Sequence, residues 1–259
     1  MWGMMEGIFR CTHYVIIKNE PTRGASAAKL NPSQHHSPKS SFQSKFTRIP
    51  QAFTMSSGFS NTDTGSKTAD PYTAKNKDEV SLKEKVEDLF TFIDKTKFCL
   101  FTTHAGDSDL LASRAMALAA KEGNGFDLLF HTNTESGKTD DLKEDSSVNI
   151  GFINNSGEWA SISGHASIET DRDIVRKHYS PALKAWIGDL GDGKHDGGPE
   201  DPRIGIIRVK AKTAQYAISR RTAVGGIIEL AKGIATGESP SVNKLRHLDE
   251  SEIAQWKSQ

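Results

Sequence analysis

Hydrophobic and polar positions divide the chain into a polar leading segment and a patterned remainder. From residue 81 onward, apolar residues recur at helical spacing or at every second position, whereas residues 31–70 contain nine Ser and five Thr with scattered apolar side chains. A segment of that composition buries too little apolar surface to offset the entropy lost on ordering. We therefore predict a disordered, basic, Ser/Thr-rich tail over residues 1–75 and a folded domain over residues 76–259.

Two stretches of the domain carry apolar residues at helical spacing. A capping-box pattern, Ser81 to Glu84, opens the first helix, and Thr222 opens a closing helix with Val224, Ile227 and further aliphatic residues on one side. Polar segments at 136–145, 171–178 and 181–187 predict three shorter helices.

Six segments have the composition and alternation of β-strands. They are residues 98–103, 110–120, 126–131, 148–152, 158–169 and 204–218. Turn signals at 123–125 and 154–157 join neighbouring strands as hairpins. The pattern predicts a mainly β protein with peripheral helices, a six-stranded antiparallel barrel rather than a doubly wound sheet.

Charge is distributed unevenly along the chain. The 33 basic and 33 acidic residues cancel, but residues 21–62 contain five basic and no acidic residues, so residues 63–259 carry a net charge of −5. A negative domain disfavours nucleic-acid binding. The sequence has no run of about eighteen apolar residues, so we predict no membrane span.

The cysteine content and the N-terminal tail indicate where in the cell the protein is located. Cys11 and Cys99 are too few for a disulfide framework, which predicts reduced thiols and a cytoplasmic protein. The alternative is mitochondrial import, because an acid-free, Ser-rich basic segment resembles a transit peptide. A start at Met55 would remove most of the tail.

A candidate anion site lies between a predicted strand and helix. The Gly-Lys-Thr at 137–139 is reminiscent of a phosphate-binding loop, but Thr132 stands where that motif requires glycine. A helix start with exposed amides, the Ser136 hydroxyl and Lys138 still suits an anion, and a solvated helix start is the alternative.

Arg114 adds a second cation to this candidate site. Its neighbours on the same strand face are Ala112, Met116 and Leu118, so the guanidinium requires an anion. That anion is either an internal carboxylate or a ligand phosphate, which arginine binds in bidentate geometry. Because Arg114 and Lys138 flank the same predicted strand, we predict one phosphate site between them.

Other polar features are less specific. Trp159, Ser161 and Ser163 share a strand face, which suits either the edge of a polar aromatic ring or simple surface exposure. The histidines show no metal-ligand spacing, so we predict no metal site. The Gly- and Asp-rich segment 188–202 is long for an internal loop, and we expect it to be mobile or functional.

The order and spacing of these motifs resemble the FMN-binding split-barrel proteins related to pyridoxamine phosphate oxidase. The resemblance is to the general stress protein branch, which includes fungal blue-light-induced members. It covers roughly residues 70–238, and its markers are segments 113–116, 130–133, 136–138, 159–164 and 201–204, with Trp186.

This resemblance implies a six-stranded antiparallel split barrel that forms a homodimer, with FMN (or FAD) bound at the interface. Arg114 and Lys138 would hold the flavin phosphate beside the Ser136 hydroxyl. The residues expected to lie against the ribityl chain and the ring are Met116, Thr132, Asn133 and Trp159. Trp186 and the 188–202 loop would cover the flavin.

The resemblance also implies a function. Gly137 replaces a second basic residue of the oxidases, Trp159 replaces a polar Gln, and their substrate segment has no match, so vitamin B6 oxidation is not expected. We expect an FMN-binding flavoprotein acting as a flavin-dependent oxidoreductase. The alternatives are a non-enzymatic flavin-binding, sensing or sequestering protein in stress or light response, and an empty barrel used for dimerisation. No catalytic side chain is identified.

Overall fold

Eight strands, seven α-helices and a short 3-10 helix (Gly123–Gly125) are present in the computed structural model, which describes residues 70–106 and 108–259. The helices are α1 (Pro71–Asn76), α2 (Leu82–Thr96), α3 (Gly137–Glu144), α4 (Arg172–His178), α5 (Leu183–Ile187), α6 (Ala223–Thr236) and α7 (Glu250–Lys257). The strands are β1 (Phe98–His104), β2 (Leu111–Ala117), β3 (Ala120–Glu122), β4 (Asp127–Asn133), β5 (Ser147–Ile153), β6 (Trp159–Glu169), β7 (Ile204–Ser219) and β8 (Asn243–Leu248). The predictions for residues 1–69, including Cys11 and Met55, lie outside the described residues.

The strands form one curled antiparallel sheet in the order β2-β1-β5-β6-β7-β4-β3, with β8 paired to β7. Strand β7 pairs with β4 along its first half and with β8 along its second. Its register with β6 shifts between Ser163 and Gly164, where a Cβ on Gly164 would lie 2.2 Å from the Lys210 carbonyl oxygen. Only glycine allows the two strands to approach this closely.

The two edges of the sheet approach each other without closing. The Ala119 amide donates to the Leu129 carbonyl (2.8 Å), but no ladder joins β2 to β4 within the described residues. The barrel is therefore open along a split between β2 and β4. The predicted antiparallel split barrel is confirmed, with eight strands rather than six.

The core fills the inside of the curled sheet. Phe101 of β1 and Phe130 of β4 meet edge to face with ring centroids 5.4 Å apart, and α2 buries Val86, Leu89 and Ile93 against them. A smaller cluster on the other face of β4 packs beneath α4 and α5. The main core cluster therefore lies on the inner face of the sheet.

The structure differs from the predicted elements at one strand and after the closing helix. The single strand predicted over 110–120 is divided into β2 and β3, because the chain crosses from one edge of the sheet to the other at Leu118 and Ala119. Beyond the predicted closing helix, β8 and α7 were not predicted. Strand β8 places a fully buried charge, Arg246, beside Leu245, which hides its apolar pattern.

Side-chain caps mark the N-termini of α1 and α2. Asp70 caps α1, and the buried Asn76 side chain ties α1 to residues 240–243, so α1 lies mostly within the last residues of the segment predicted as tail. The Ser81 hydroxyl caps α2 by accepting from the Glu84 amide (3.3 Å). The Glu84 carboxylate binds Arg246 (2.7 Å), and no bond back to the Ser81 amide completes the predicted capping box.

No helix in residues 70–106 and 108–259 combines the length and apolar character needed to cross a membrane. The same residues contain no group of three His, Cys, Asp or Glu side chains placed to hold a metal ion.

Candidate functional site

The candidate site lies where β4 ends beside the split and the chain turns into α3. The Glu135 amide donates to the Asn133 side chain (2.8 Å), and the Ser136 hydroxyl donates to the Asn133 carbonyl (2.7 Å). The buried Thr139 hydroxyl donates to the Thr134 carbonyl (2.8 Å). These bonds fix the turn and therefore the direction of the first amides of α3.

The N-terminus of α3 presents unused hydrogen-bond donors. Ser136 is the N-cap residue, but its side chain accepts no amide of the helix. The amides of Gly137 and Lys138 donate to no acceptor in the part of the chain that the structure describes. A Cβ on Gly137 would meet nothing within 4 Å, so the space beside Gly137 at the start of the helix is open. Free amides at the positive end of a helix form an anion-binding arrangement.

Lys138 places a half-buried cation at the same point. Its Nζ donates to the Ser136 hydroxyl (2.9 Å), and within the described residues it forms no ion pair with a carboxylate. Burial, followed by the nearby Arg114 guanidinium, lowers the pKa of Lys138. Both causes disfavour the charged ammonium, and a bound anion would reverse their effect.

Arg114 has the internal carboxylate partner that the sequence left open. One terminal nitrogen donates to Asp141 Oδ2 (2.6 Å) and the other to the Thr103 hydroxyl (2.8 Å). The Arg114 side chain keeps 32% of its surface exposed against 12% for Asp141, so the guanidinium lies at the rim of the split. Arg114 is thus held in place while one side of it remains accessible.

Asp141 is the principal site residue that the sequence did not single out. It also accepts from the Thr103 hydroxyl (3.0 Å) and the Gly106 amide (3.0 Å). Burial raises the pKa of Asp141, but the hydrogen bonds from Arg114, Thr103 and Gly106, together with the Arg114 charge, outweigh burial and lower it. Two cations therefore face one carboxylate, which leaves a net positive site. The only sequence signal was an acid three residues after Lys138 on a predicted helix.

Thr132, Asn133 and Met116 form parts of the wall. Thr132 is buried on the inner face of β4 and donates to the Asn133 carbonyl (3.2 Å). Met116 lies on the same face of β2 as Arg114 and packs against the core. The structure thus gathers Arg114, Met116, Thr132, Asn133, Ser136 and Lys138 along the split and its α3 end.

Trp159 lies on the opposite face of the sheet. Arg114, Phe101, Ile150 and Ile162 occupy one cross-strand row on the inner face. Trp159 is three residues from Ile162 with no bulge between them, so it projects outward. Ser161 and Ser163 share this outer face and accept from the Asn149 side chain at 2.7 and 3.0 Å. Trp159 therefore lies on the face of the sheet opposite to the one that carries Arg114.

Trp186 and the following loop adjoin the site from another side. Trp186 is 80% exposed on α5. The loop is anchored by the buried pair Arg203–Asp201 (2.6 Å), and Arg203 also donates to the Gly188 carbonyl (2.7 Å). The Thr134 amide donates to the Arg203 carbonyl (2.8 Å), which places the end of the loop against the β4–α3 turn. The predicted mobility of segment 188–202 is therefore restrained at its base.

A second concavity of about 440 Å³ lies on the outer face between the ends of β1, β5 and β6. Its cationic groups have partners: Lys212 pairs with Glu250, and His104 contacts Asp145 (2.6 Å). It therefore offers no excess positive charge comparable to the α3 end of the split.

Comparison with known proteins agrees with this architecture. Residues 84–241 match the family model described as pyridoxamine 5′-phosphate oxidase like. Protein bli-3 of Neurospora crassa is 60% identical over 203 residues, which span 78% of this chain and 97% of that protein.

Two solved structures are more distant relatives. General Stress Protein 26 of Bacillus anthracis is 24% identical over 50% of this chain and 91% of its own, with a TM-score of 0.42. The general stress FMN/FAD binding protein of Xanthomonas citri is 22% identical over 52% of this chain and 88% of its own, with a TM-score of 0.43. Because the family model spans more than half of the chain and includes both Arg114 and Lys138, the chain belongs to the pyridoxamine 5′-phosphate oxidase-like family.

Proposed function

We propose that this protein binds FMN by its phosphate at the N-terminus of α3 and acts as a flavin-dependent oxidoreductase of the general stress protein type. One observation supports this most directly. Arg114, Lys138 and two free helix amides converge beside an open split, with Asp141 as the only carboxylate paired to them in the described residues.

The charge at this point fits one phosphate group. A phosphate monoester carries about −1.5 to −2 charges near neutral pH, and the two cations with Asp141 leave one positive charge beside the helix dipole. Lys138 and the amides would hold the phosphate, while Asp141 and Thr103 orient Arg114 toward it.

Chemistry at the site would come from the flavin, which supplies hydride transfer when bound. The residues of the chain bind and orient it, and the buried Thr132 and half-buried Met116 exclude water from the wall of the split. The position of the loop base against the β4–α3 turn supports the view that Trp186 and segment 188–202 cover the flavin.

We also propose a homodimer with the flavin near the interface. Trp159 lies on the outer face of the sheet, so it contacts a flavin only if that flavin is bound to a second copy of the chain. This arrangement would account for a tryptophan at a position expected to face the ring.

Non-enzymatic flavin binding is the second candidate. The titratable side chains gathered at the α3 end of the split, Arg114, Lys138 and Asp141, are all engaged in binding contacts. This arrangement favours retention of a flavin without a dedicated proton donor, as in a sensing or sequestering protein.

Titration with FMN and FAD, followed by anaerobic addition of NAD(P)H, tests these functions. Replacing Arg114 or Lys138 with Ala should weaken FMN binding by about 1.5–3 kcal/mol, or roughly 10- to 150-fold. Lys143→Ala is the matched control, because Lys143 lies on the same helix but pairs with Asp140 in solvent. A colourless protein that takes up neither flavin would disprove both functions. Tight flavin binding without reduction of the flavin by NAD(P)H would favour a non-enzymatic flavin-binding protein over an oxidoreductase.

A further inference from the structure

His104 and Asp145 form an imidazole–carboxylate pair beside the outer-face concavity. His104 ends β1, and Asp145 directly follows α3. His104 Nδ1 lies 2.6 Å from Asp145 Oδ2, and the Ser147 amide donates to Asp145 Oδ1 (2.8 Å). Both carboxylate oxygens are therefore engaged, and the carboxylate has a fixed orientation toward the imidazole ring.

The contacts of Asp145 decide which nitrogen of His104 carries the proton. The Ser147 amide, followed by the Ser147 side chain and His104, lowers the pKa of Asp145 against the opposing effect of burial. An ionised carboxylate only accepts hydrogen bonds, so Nδ1 of His104 must donate. In the neutral ring Nε2 then has the free lone pair and is the basic nitrogen.

The basic nitrogen of His104 is available to a ligand. Nε2 has no hydrogen-bond partner in residues 70–106 and 108–259, and the His104 side chain is 44% exposed. His104 lines the concavity, whose volume of about 440 Å³ lies within the range of about 300–1,000 Å³ typical of small-molecule sites. The contact with Asp145 uses only Nδ1, which leaves Nε2 free for proton exchange with a bound molecule.

The far side of the concavity, on β6 and β7, supplies hydrogen-bond donors. The Asn149 amide donates to the Ser163 hydroxyl (3.0 Å), which leaves the hydroxyl proton of Ser163 for a ligand. His165, whose Nδ1 contacts the Ser146 hydroxyl (3.3 Å), and Lys212 lie on the same side. Strand β5 separates β1 from β6, so His104 and Ser163 are about two strand spacings, or roughly 10 Å, apart. A single aromatic ring with an oxygen at each end spans such a gap.

The charges favour a neutral ligand with an acidic hydroxyl over a ligand that is already an anion. Glu250 offsets Lys212, and Asp145 offsets His104 when the ring is protonated, so the concavity has no excess positive charge. Leu111, which is 65% exposed, adds an apolar wall. A neutral aromatic ring suits this wall, and its hydroxyl can lose a proton after binding because Asp145 stabilises the imidazolium.

We propose that the outer-face concavity is a second binding site, which takes a small phenol or enol and transfers its hydroxyl proton to His104. The O–H bond of the ligand breaks and an N–H bond forms at Nε2, which leaves a phenolate or enolate beside an imidazolium. Asp145 is the positioning residue, since it fixes the tautomer of His104 and stabilises the imidazolium. The site uses neither Arg114 nor Lys138 and therefore does not depend on the proposed flavin site.

Binding of para-nitrophenol to the full chain tests the proposal. Equilibrium dialysis measures binding of this dye, and visible absorbance measures its ionisation, because the phenolate is yellow and the phenol is not. Wild type should lower the apparent pKa of the bound dye by about 1 unit, the effect of an adjacent cation. His104→Asn keeps an amide donor for Asp145 but removes the base, so it should abolish this shift and bind the dye within about 5-fold of wild type. Asp145→Asn should also abolish the shift, and melting temperatures show whether both variants fold.

His195→Asn is the matched control, because it removes an imidazole that contacts another aspartate, Asp192, outside the concavity. The shift should survive in His195→Asn and be lost in both His104→Asn and Asp145→Asn. A wild type that neither binds nor ionises the dye, or a shift that persists in His104→Asn, would overturn the proposal. Loss of the dye from Lys138→Ala would place it at the α3 end of the split and would also overturn the proposal.

Discussion

At the scale of single residues, the site is a balance between two cations and one carboxylate. Asp141 holds the Arg114 guanidinium while offsetting half of the positive charge that Arg114 and Lys138 bring. A phosphate added to this group competes with Asp141 for Arg114. Asp141 is thus expected to limit the affinity for anions as well as to orient the guanidinium.

We predict that Asp141→Asn binds FMN several-fold more tightly at low salt. The amide keeps one acceptor oxygen, which can serve either Thr103 or Gly106 but not both, and it removes the negative charge from Arg114. Without FMN the variant should lose about 1–2 kcal/mol of unfolding free energy, because a partly buried ion pair is broken. Titrations at low and high salt measure the effect, which should shrink as salt screens the charges.

Asp140→Asn is the control for this variant. Asp140 lies next to Asp141 on α3, but it pairs with Lys143 at the surface. Its FMN affinity should equal that of wild type. Weaker FMN binding by Asp141→Asn would show that the carboxylate acts only by orienting Arg114.

The lowered pKa of Lys138 predicts a pH dependence of FMN binding. The protonated ammonium binds phosphate, so affinity is full below the pKa of Lys138 and falls as pH rises through it. Because burial and the Arg114 charge lower the pKa of Lys138, the affinity should fall at a pH below 10.5, the ordinary pKa of lysine. In the unliganded protein the sign is opposite, because folding disfavours the charged form and stability rises with pH in the same window.

Dissociation constants for FMN measured from neutral to strongly alkaline pH check this dependence. Lys138→Arg should keep its affinity through the window, since a guanidinium stays protonated there. A wild-type profile that matches that of Lys138→Arg would contradict the assigned role of Lys138.

At the scale of elements, the 188–202 loop depends on one buried ion pair. The Asp201 side chain is 0% exposed and that of Arg203 is 5% exposed, and the pair bonds loop backbone at Gly188 and Gly197. Asp201→Asn leaves the Arg203 guanidinium without a charged partner, and breaking a buried ion pair lowers the free energy of unfolding by about 3–5 kcal/mol. We expect the variant to be cleaved within 188–202 by limited proteolysis much faster than wild type.

Asp192→Asn is the matched control in the same loop, because Asp192 is largely exposed and contacts only its neighbours. It should leave the cleavage rate unchanged. Equal protection of Asp201→Asn and wild type would show that the loop is held by something other than this pair.

The same pair predicts an acid transition. The Arg203 guanidinium, against the opposing effect of burial, lowers the pKa of Asp201 to about 2 from an ordinary 3.8. The carboxylate therefore contributes about 2 kcal/mol of stability above pH 4, and this contribution is lost as pH falls from about 4 toward 2. Urea unfolding across that range should show the loss in wild type and its absence in Asp201→Asn.

At the scale of the whole molecule, Arg246 joins the last strand to the first helices. Its fully buried guanidinium binds Asp78, Glu84 and Asp88 at 2.7 Å each. Arg246→Met should lower the unfolding free energy by about 3–5 kcal/mol, because three carboxylates lose their common partner. For a domain of this size the melting temperature should fall by roughly 10 °C. Arg220→Met, which removes a more exposed partner of Asp78, is the control. Its melting temperature should fall far less than that of Arg246→Met.

Local sequence patterns predicted most of the long secondary-structure elements of this protein. Alternation of apolar residues located the long strands, and the apolar spacing with Ser81 and Thr222 located α2 and α6, because side-chain periodicity and helix caps depend only on neighbours in the chain. The β4–α3 turn with Ser136 and Lys138 was readable for the same reason. These features fixed the antiparallel class and one half of the candidate site.

Only the tertiary structure decided which distant groups meet. It paired Arg114 with Asp141, set Trp159 on the face opposite to Arg114, buried Arg246 among Asp78, Glu84 and Asp88, and turned the apolar side of α6 outward. The pairing register of the strands and the packing of helices on the curled sheet set these contacts, and both depend on segments far apart in sequence. The sequence shows that an apolar or charged side chain needs a packing or charge partner. Only the folded chain determines which residue that partner is.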